Sequence, residues 1–213
     1  MAEGAPHDIP VPSGGRTSRT APKLDRLLTV SAELMATRGF SQTSIRDVAT
    51  ASGFSLGGMY YYFKSKEDLL FLIQEKTFGS LLEMQEQAVA GGGPAEERLR
   101  RLVKNHLAYF ISHFNELKVC TFELESLQGE RYENIAQLRR RYYLCMAQVV
   151  GEMSGVPAER AETDRQVRHR TLFIFGMLNW VFMWYDPAKD DHAGELGEEM
   201  VAMVMNGLTG EGR

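Results

Sequence analysis

Residues 43–70 read TSIRDVATASGFSLGGMYYYFKSKEDLL, and this stretch decides the fold. Ser41 or Thr43 can cap a helix that begins at Ser44, runs to about Ala51 and buries Ile45, Val48 and Ala49. Ser52, Gly53 and Phe54 make a tight turn, and Ser55 can cap a second short helix over residues 56–63. Ser65 caps a further helix from Lys66, with Glu67 and Asp68 in the first turn, where the helix dipole favours anions. Two short helices around a glycine-containing turn are a helix-turn-helix, whose second helix enters the DNA major groove while the first crosses the backbone. Leu56, Gly57 and Gly58 are small or uncharged and let that helix come close to DNA. Tyr60, Tyr61 and Tyr62 span about 200° of a helix, so they cannot all be core. At least one faces outward with a hydroxyl that can reach phosphate. Lys64 and Lys66 follow, Lys66 at a helix N-terminus suited to phosphate. Arg46, on the first helix of the pair, is a further candidate phosphate contact.

Outward from this motif the pattern stays helical. Leu24, Leu28, Ala32, Met35 and Ala36 share a helix face, with Gly39 as the stop. Residues 1–22 hold four of the seven prolines and read as a disordered tail, after which no proline occurs until Pro94. Beyond it, helices are expected at about 95–114, 117–128, 131–154, 159–185 and 194–208, broken at Asn115, Gly129, the Gly155, Val156, Pro157 run and Asp186 with Pro187. No useful strand alternation occurs, so the fold class is all-α with about nine helices.

The chain has 213 residues, 24 Lys+Arg against 28 Asp+Glu, and a formal net charge of −4, which at first sight argues against a partner with a phosphate backbone. The sum averages unlike regions. Residues 16–66 hold eight Lys or Arg against three acids, a local +5, and the acidic excess lies mainly in residues 67–213. The most apolar run, FIFGMLNWVFMWY at 173–185, is too short to span a membrane, and the N-terminus has no signal-peptide pattern. Cys120 and Cys145 form no CxxC pair, which points to a reducing cytosol and a cytoplasmic protein. Walker, GxSxG and HExxH motifs are absent, and His106 and His113, seven residues apart, cannot chelate a metal alone. Neither an enzyme nor a metal site nor a cofactor is expected.

The 43–70 string closely resembles the DNA-binding signature of the TetR/AcrR family of bacterial regulators, in Thr43, Ile45 to Ala49, Ser52 to Ser55 and Tyr60 to Leu70, with Ala32, Glu33, Leu34 and Arg38, Gly39, Phe40 upstream. The resemblance implies that Thr43, Ser55, Tyr61 and Lys66 meet phosphates. It implies that Leu56, Gly57, Gly58, Tyr60 and Tyr62 face base edges or the adjacent sugar-phosphate. Many relatives carry Thr in place of Gly58 and His in place of Tyr62. The reading helix offers no Arg, Asn or Gln for bidentate base pairing, so backbone fit, tyrosine contacts and DNA shape carry more of the recognition.

The resemblance further implies a DNA-binding domain over 23–68 and a ligand-binding and dimerisation domain over 69–213, with double-stranded operator DNA, a second copy of the chain and a small apolar effector as partners. The helix at 173–185 is apolar all round and must be buried on more than one side. Phe173, Gly176 and Met177, with Met200, Val204 and Leu208 of the last helix, are the candidate dimer interface. Gly176, Met177, Leu178, Asn179 and Trp180, followed by Trp184, Tyr185 and Pro187, are similar to the C-terminal pattern of family members that control fatty-acid or sterol breakdown and respond to acyl-CoA. His106, Tyr109, Phe110, Phe122, Arg139, Tyr142, Trp180 and Trp184 are the candidate effector-binding residues, although such an aromatic set equally reads as plain core. Arg98, Arg100, Arg101, Lys104, Arg139, Arg140 and Arg141 are cations available to an effector's phosphates, or surface charges paired with acids. The expected function is a ligand-released repressor. The alternatives are a regulator of drug efflux responsive to aromatic ligands, and an apolar-ligand module that no longer binds DNA.

Overall fold

The computed structural model describes residues 20–209 apart from Pro187 and Asp191, and does not describe the side chains of Thr20, Leu208 and Thr209. The expected disordered tail therefore lies outside the described residues up to residue 19. Residues 20–22 belong to the first helix, α1 (Thr20–Arg38). Pro22 sits in its first turn, where the missing N–H has no helical acceptor in any case. Leu27, Leu28, Ala32 and Met35 line the buried face. Gly39 takes φ +85° and donates its N–H to the Met35 carbonyl at 2.8 Å, which closes the helix.

Next come α2 (Ile45–Ser52), α3 (Leu56–Met59) and α4 (Lys66–Ala90). The body then adds α5 (Ala95–Ser112), α6 (Phe114–Phe122), a 3-10 turn over Leu124–Ser126, α7 (Gly129–Met153), α8 (Ala158–Ala161), α9 (Arg165–Trp180), a 3-10 turn over Val181–Met183, and α10 (Ala193–Thr209). Among the described residues every regular element is helical, ten α-helices in all.

Several boundaries differ from those expected: the helix expected over 117–128 ends at Phe122 before a 3-10 turn, and Gly129, expected as a break, is the first residue of α7. The α5–α6 break falls at His113 rather than Asn115. His113 leaves helical geometry (φ −132°, ψ 44°), its ring Nδ1 meets the Tyr109 carbonyl at 3.1 Å, and the ring stacks on Tyr109 at 4.0 Å. The single helix expected over 159–185 is three elements, because the Asp164 carboxylate accepts from the N–H groups of Gln166 and Val167 and starts α9 afresh. The second helix of the motif is one turn long, with Tyr60, Tyr61 and Tyr62 in the turn that follows it.

One hydrophobic core runs from Leu27 to Val204 through both parts of the chain. Helix α4 belongs to both. Lys76 pairs with Asp25 of α1 at 2.6 Å, whereas Gln85 and Glu86, further along, hold Leu102 of α5 and Arg141 of α7. Helix α10 packs on α5, and a Cβ at Gly197 would stand 3.1 Å from Cγ of Lys104. Met200, Val201 and Val204 are consequently buried within the subunit. Met200 and Val204, expected at a dimer interface, are core residues instead, because this apolar stripe of α10 is covered by its own chain. The Leu208 side chain lies outside the described residues.

Candidate nucleic-acid interface and ligand core

Three serine side-chain caps and one glycine closure build the reading head. Ser44, not Ser41 or Thr43, caps α2: its Oγ accepts from the Asp47 N–H at 3.2 Å, and Asp47 accepts the Ser44 N–H at 2.9 Å. These bonds from Ser44, with Arg38 nearby, hold the Asp47 carboxyl below its usual range. Gly53, at φ +73°, closes α2 by donating to the Ala49 carbonyl. Ser55 caps α3 through the Gly58 N–H at 3.1 Å, and a Cβ at residue 58 would stand 3.1 Å from the capping oxygen. Ser65 and Asp68 form a second capping box at the start of α4.

This frame sorts the predicted contacts. Met59 and Phe63 are buried and anchor the motif from below. Leu56, Gly57, Tyr60 and Tyr61 face outward, Tyr61 being 71% exposed. Tyr62 is half-buried, its ring edge-on to Phe54 at 6.4 Å and to Tyr61 at 5.2 Å. Gly58 is half-buried, and Arg46, Ser55 and Lys64 are exposed. Two residues expected at phosphate are engaged within the chain. Thr43 is buried and its hydroxyl donates to the Gly39 carbonyl at 2.9 Å, so it fixes the α1–α2 loop rather than presenting a free donor. Lys66 donates to the carbonyls of Phe40 (2.8 Å) and Ser41 (3.3 Å) and lies 4.2 Å above the Phe40 ring. It thereby ties α4 to the same loop.

Sequence reasoning missed the residues that join head to body. The Phe40 N–H donates to Glu123 at 3.1 Å, Gln74 donates to the Glu123 carbonyl at 3.2 Å, and Arg131 pairs with Asp68. These partners lie far apart in sequence, and no local pattern marks them.

In the body, three of the eight candidate effector residues come together. His106 and Tyr142 are buried and hydrogen-bonded through Nδ1 and the hydroxyl, and Phe110 stacks on His106 with ring centres 6.2 Å apart. Phe175, not expected, completes the cluster 5.3 Å from Tyr142. The other five lie elsewhere. Tyr109 lines a separate cavity of about 80 Å³ with Leu28, Thr29, Thr77 and His113, and burial pushes its hydroxyl up to about 12. Arg139 donates to the Cys120 carbonyl at 3.0 Å and lies over the Phe78 ring. Phe122, Trp180 and Trp184 are on the surface. The other cations weighed for an effector's phosphates are engaged too. Arg100 and Lys104 hold Glu198, Arg98 holds Glu152, Arg140 holds Glu162, Arg141 holds Glu86, and Arg101 donates to the carbonyls of Ala88 and Gly92.

Helix α9 turns an apolar stripe outward. Leu172, Phe173, Gly176 and Trp180 are exposed along it, Met177 is half-buried, and Met183 and Trp184 continue the stripe beyond its end. Among the described residues no helix is long and apolar enough to cross a membrane.

A capped helix-turn-helix on an all-helical body defines a DNA-binding regulator. Residues 27–73 match the family described as bacterial regulatory proteins, tetR family, and residues 92–208 match the tetracyclin repressor-like C-terminal domain. The chain belongs to the TetR family of bacterial transcriptional regulators. It is 24% identical over 188 residues to the fatty acid metabolism regulator protein of Bacillus subtilis (strain 168), covering 88% of this chain and 96% of that one. It is 24% identical over 198 residues to the transcriptional repressor KstR2 of Rhodococcus jostii (strain RHA1), covering 92% and 96%. Its fold matches the crystal structure of AibR in complex with isovaleryl coenzyme A and operator DNA, with a TM-score of 0.72, 22% identity and coverage of 85% and 97%.

Proposed function

We propose that the chain acts as a cytoplasmic, homodimeric repressor that inserts residues 56–62 into the major groove of its operator and is released by an acyl-CoA effector. The observation that carries the DNA part is the outward face of Leu56, Gly57, Tyr60 and Tyr61 above the buried anchors Met59 and Phe63. Ser55 supports it: its oxygen accepts from Gly58, and its hydroxyl proton stays free for a phosphate. Lys66 has two protons directed at carbonyls and a third available at the α4 N-terminus, a position that favours anions. Arg46, on the exposed side of α2, adds a phosphate contact, and Gly57 and Gly58 let the backbone approach the bases.

The exposed stripe of α9 supports the dimer, because an apolar row of this kind on one helix pairs readily with a copy of itself. A dimer also supplies the two reading helices that consecutive half-sites require. The acyl-CoA part rests on the relatives, one named for fatty acid metabolism and one bound to isovaleryl coenzyme A. The effector works only if it binds the released state more tightly than the DNA-bound one. No catalytic residue and no cofactor enter this reading.

The test is fluorescence anisotropy with an operator that the wild-type protein selects from random-sequence DNA. Y61A should weaken binding about tenfold or more while leaving the melting temperature almost unchanged, since so exposed a side chain contributes little to the fold. Acyl-CoA thioesters should release the wild-type complex, and free coenzyme A and planar cationic drugs should not. Release by the drugs alone would favour an efflux-type regulator.

A further inference from the structure

The body encloses a polar arrangement that its own packing leaves incomplete. Gln85 of α4, His106 of α5 and Tyr142 of α7 are all buried. The Gln85 Nε2 donates to the Leu102 carbonyl at 3.0 Å, which settles which end of the amide is nitrogen. The Tyr142 hydroxyl meets Nδ1 of His106, and the Gln85 Oε1 takes no proton from it. Were the imidazole to donate in this bond, the buried phenol proton would be left without an acceptor, so the hydroxyl donates to Nδ1. The ring's remaining proton then sits on Nε2. That Nε2 and the Gln85 Oε1 are buried and have no hydrogen-bond partner. Phe110 and Phe175 flank the imidazole, with ring centres 6.2 and 6.4 Å from it. Burial pushes His106 down to about 4, so at neutral pH the ring is an uncharged donor.

A buried donor without a partner in a native core calls for a water or a ligand. We propose that the effector supplies a neutral oxygen that accepts the His106 Nε2 proton, which makes His106 the specificity-determining residue of the ligand core. This rests on the acyl-CoA reading above. The oxygen is a carbonyl, either of the thioester itself or of a keto group on the acyl chain. An anion is disfavoured there, because an uncharged imidazole among Phe110, Tyr142 and Phe175 offers no countercharge.

Calorimetric titration of the full-length protein separates these sources. Isovaleryl-, octanoyl- and palmitoyl-CoA are each compared with the S-alkyl thioether that has CH2 in place of the thioester carbonyl. The longer two are also compared with their 3-oxoacyl counterparts. The wild type should prefer the oxygen-bearing member of one pair by roughly tenfold. H106F should abolish that preference, and H106Q, which keeps a donor, should retain part of it. Loss of the thioester preference assigns the thioester carbonyl, and loss of the oxo preference assigns the chain oxygen. Equal binding of both members of every pair by the wild type overturns the inference, leaves the acyl-CoA reading standing and assigns the donor to a buried water. This wild-type comparison decides the matter even if H106F fails to fold. A preference that survives in folded H106F also overturns it. No binding by any thioester or thioether overturns both.

Discussion

His106 has a consequence for stability that can be read through pH. Its buried ring titrates at about 4, against the ordinary histidine value near 6.5 in the unfolded chain. Above pH 6.5 both states are neutral and the fold keeps its full stability. As pH falls from 6.5 towards 4 the unfolded chain takes up a proton that the folded chain refuses, and about 3 kcal/mol is lost across that window. Urea melts at pH 7 and pH 5 should therefore show the wild type losing about 2 kcal/mol more than H106F. Parallel losses would mean that the ring is not held neutral. At this scale the sequence was partly legible. Three consecutive tyrosines announced an outward face, and Tyr60 and Tyr61 do face outward, though from the turn after α3 rather than from a helix. Thr43 turns inward because the α1–α2 loop folds its hydroxyl back on Gly39 four residues earlier, which no periodic pattern marks, and Lys66 reaches Phe40 because of how that loop lies against α4.

The elements were legible where a single residue stops a helix and illegible where a side chain restarts one. Gly39, Gly53 and the glycine run before Pro94 end their helices as expected, whereas Asp164 starts α9 by capping it and looked like one more polar residue in a helical run. Packing between elements was hidden for a similar reason. A Cβ on Gly151 of α7 would lie 2.9 Å from the Cβ of Ala161 in α8, so this glycine sets how closely the two helices approach. G151A adds helix propensity yet must push α8 away, and a net loss of about 1–3 kcal/mol is expected in chemical denaturation. An unchanged or raised midpoint would show that α8 yields freely. The effector candidates scattered because aromatic residues at helical spacing mark a buried face without saying which neighbour covers it. His106, Phe110 and Tyr142 meet because α5 and α7 pack together, Trp180 falls outside because it sits on the outward stripe of α9, and Trp184 because the chain turns past the end of that helix.

At the scale of the molecule, the all-α class and the order of head before body could be read from periodicity and proline spacing, but the sharing of one core between them could not. The outward stripe of α9 carries the prediction that belongs here. Phe173 is 70% exposed, so F173E should leave a single subunit folded. In a symmetric pair, however, the charge enters the interface twice. Light scattering should give the wild type twice the 24.0 kDa chain mass and F173E a single chain mass at micromolar concentration, with weakened binding to a two-half-site operator. A wild-type monomer would remove the dimer from the proposal. Helix α4 has a mechanical consequence. It runs for 25 residues, about 37 Å, from the capping box beneath the reading head, past Gln85, to the glycines that follow Ala90. Over that length a tilt of about 5° carries one end through roughly 3 Å, close to the rise of DNA per base pair along its axis, about 3.4 Å. In the proposed dimer, a lever of this length would turn an oxygen-sized rearrangement around His106 into a shift of each reading head by about one base pair along the groove.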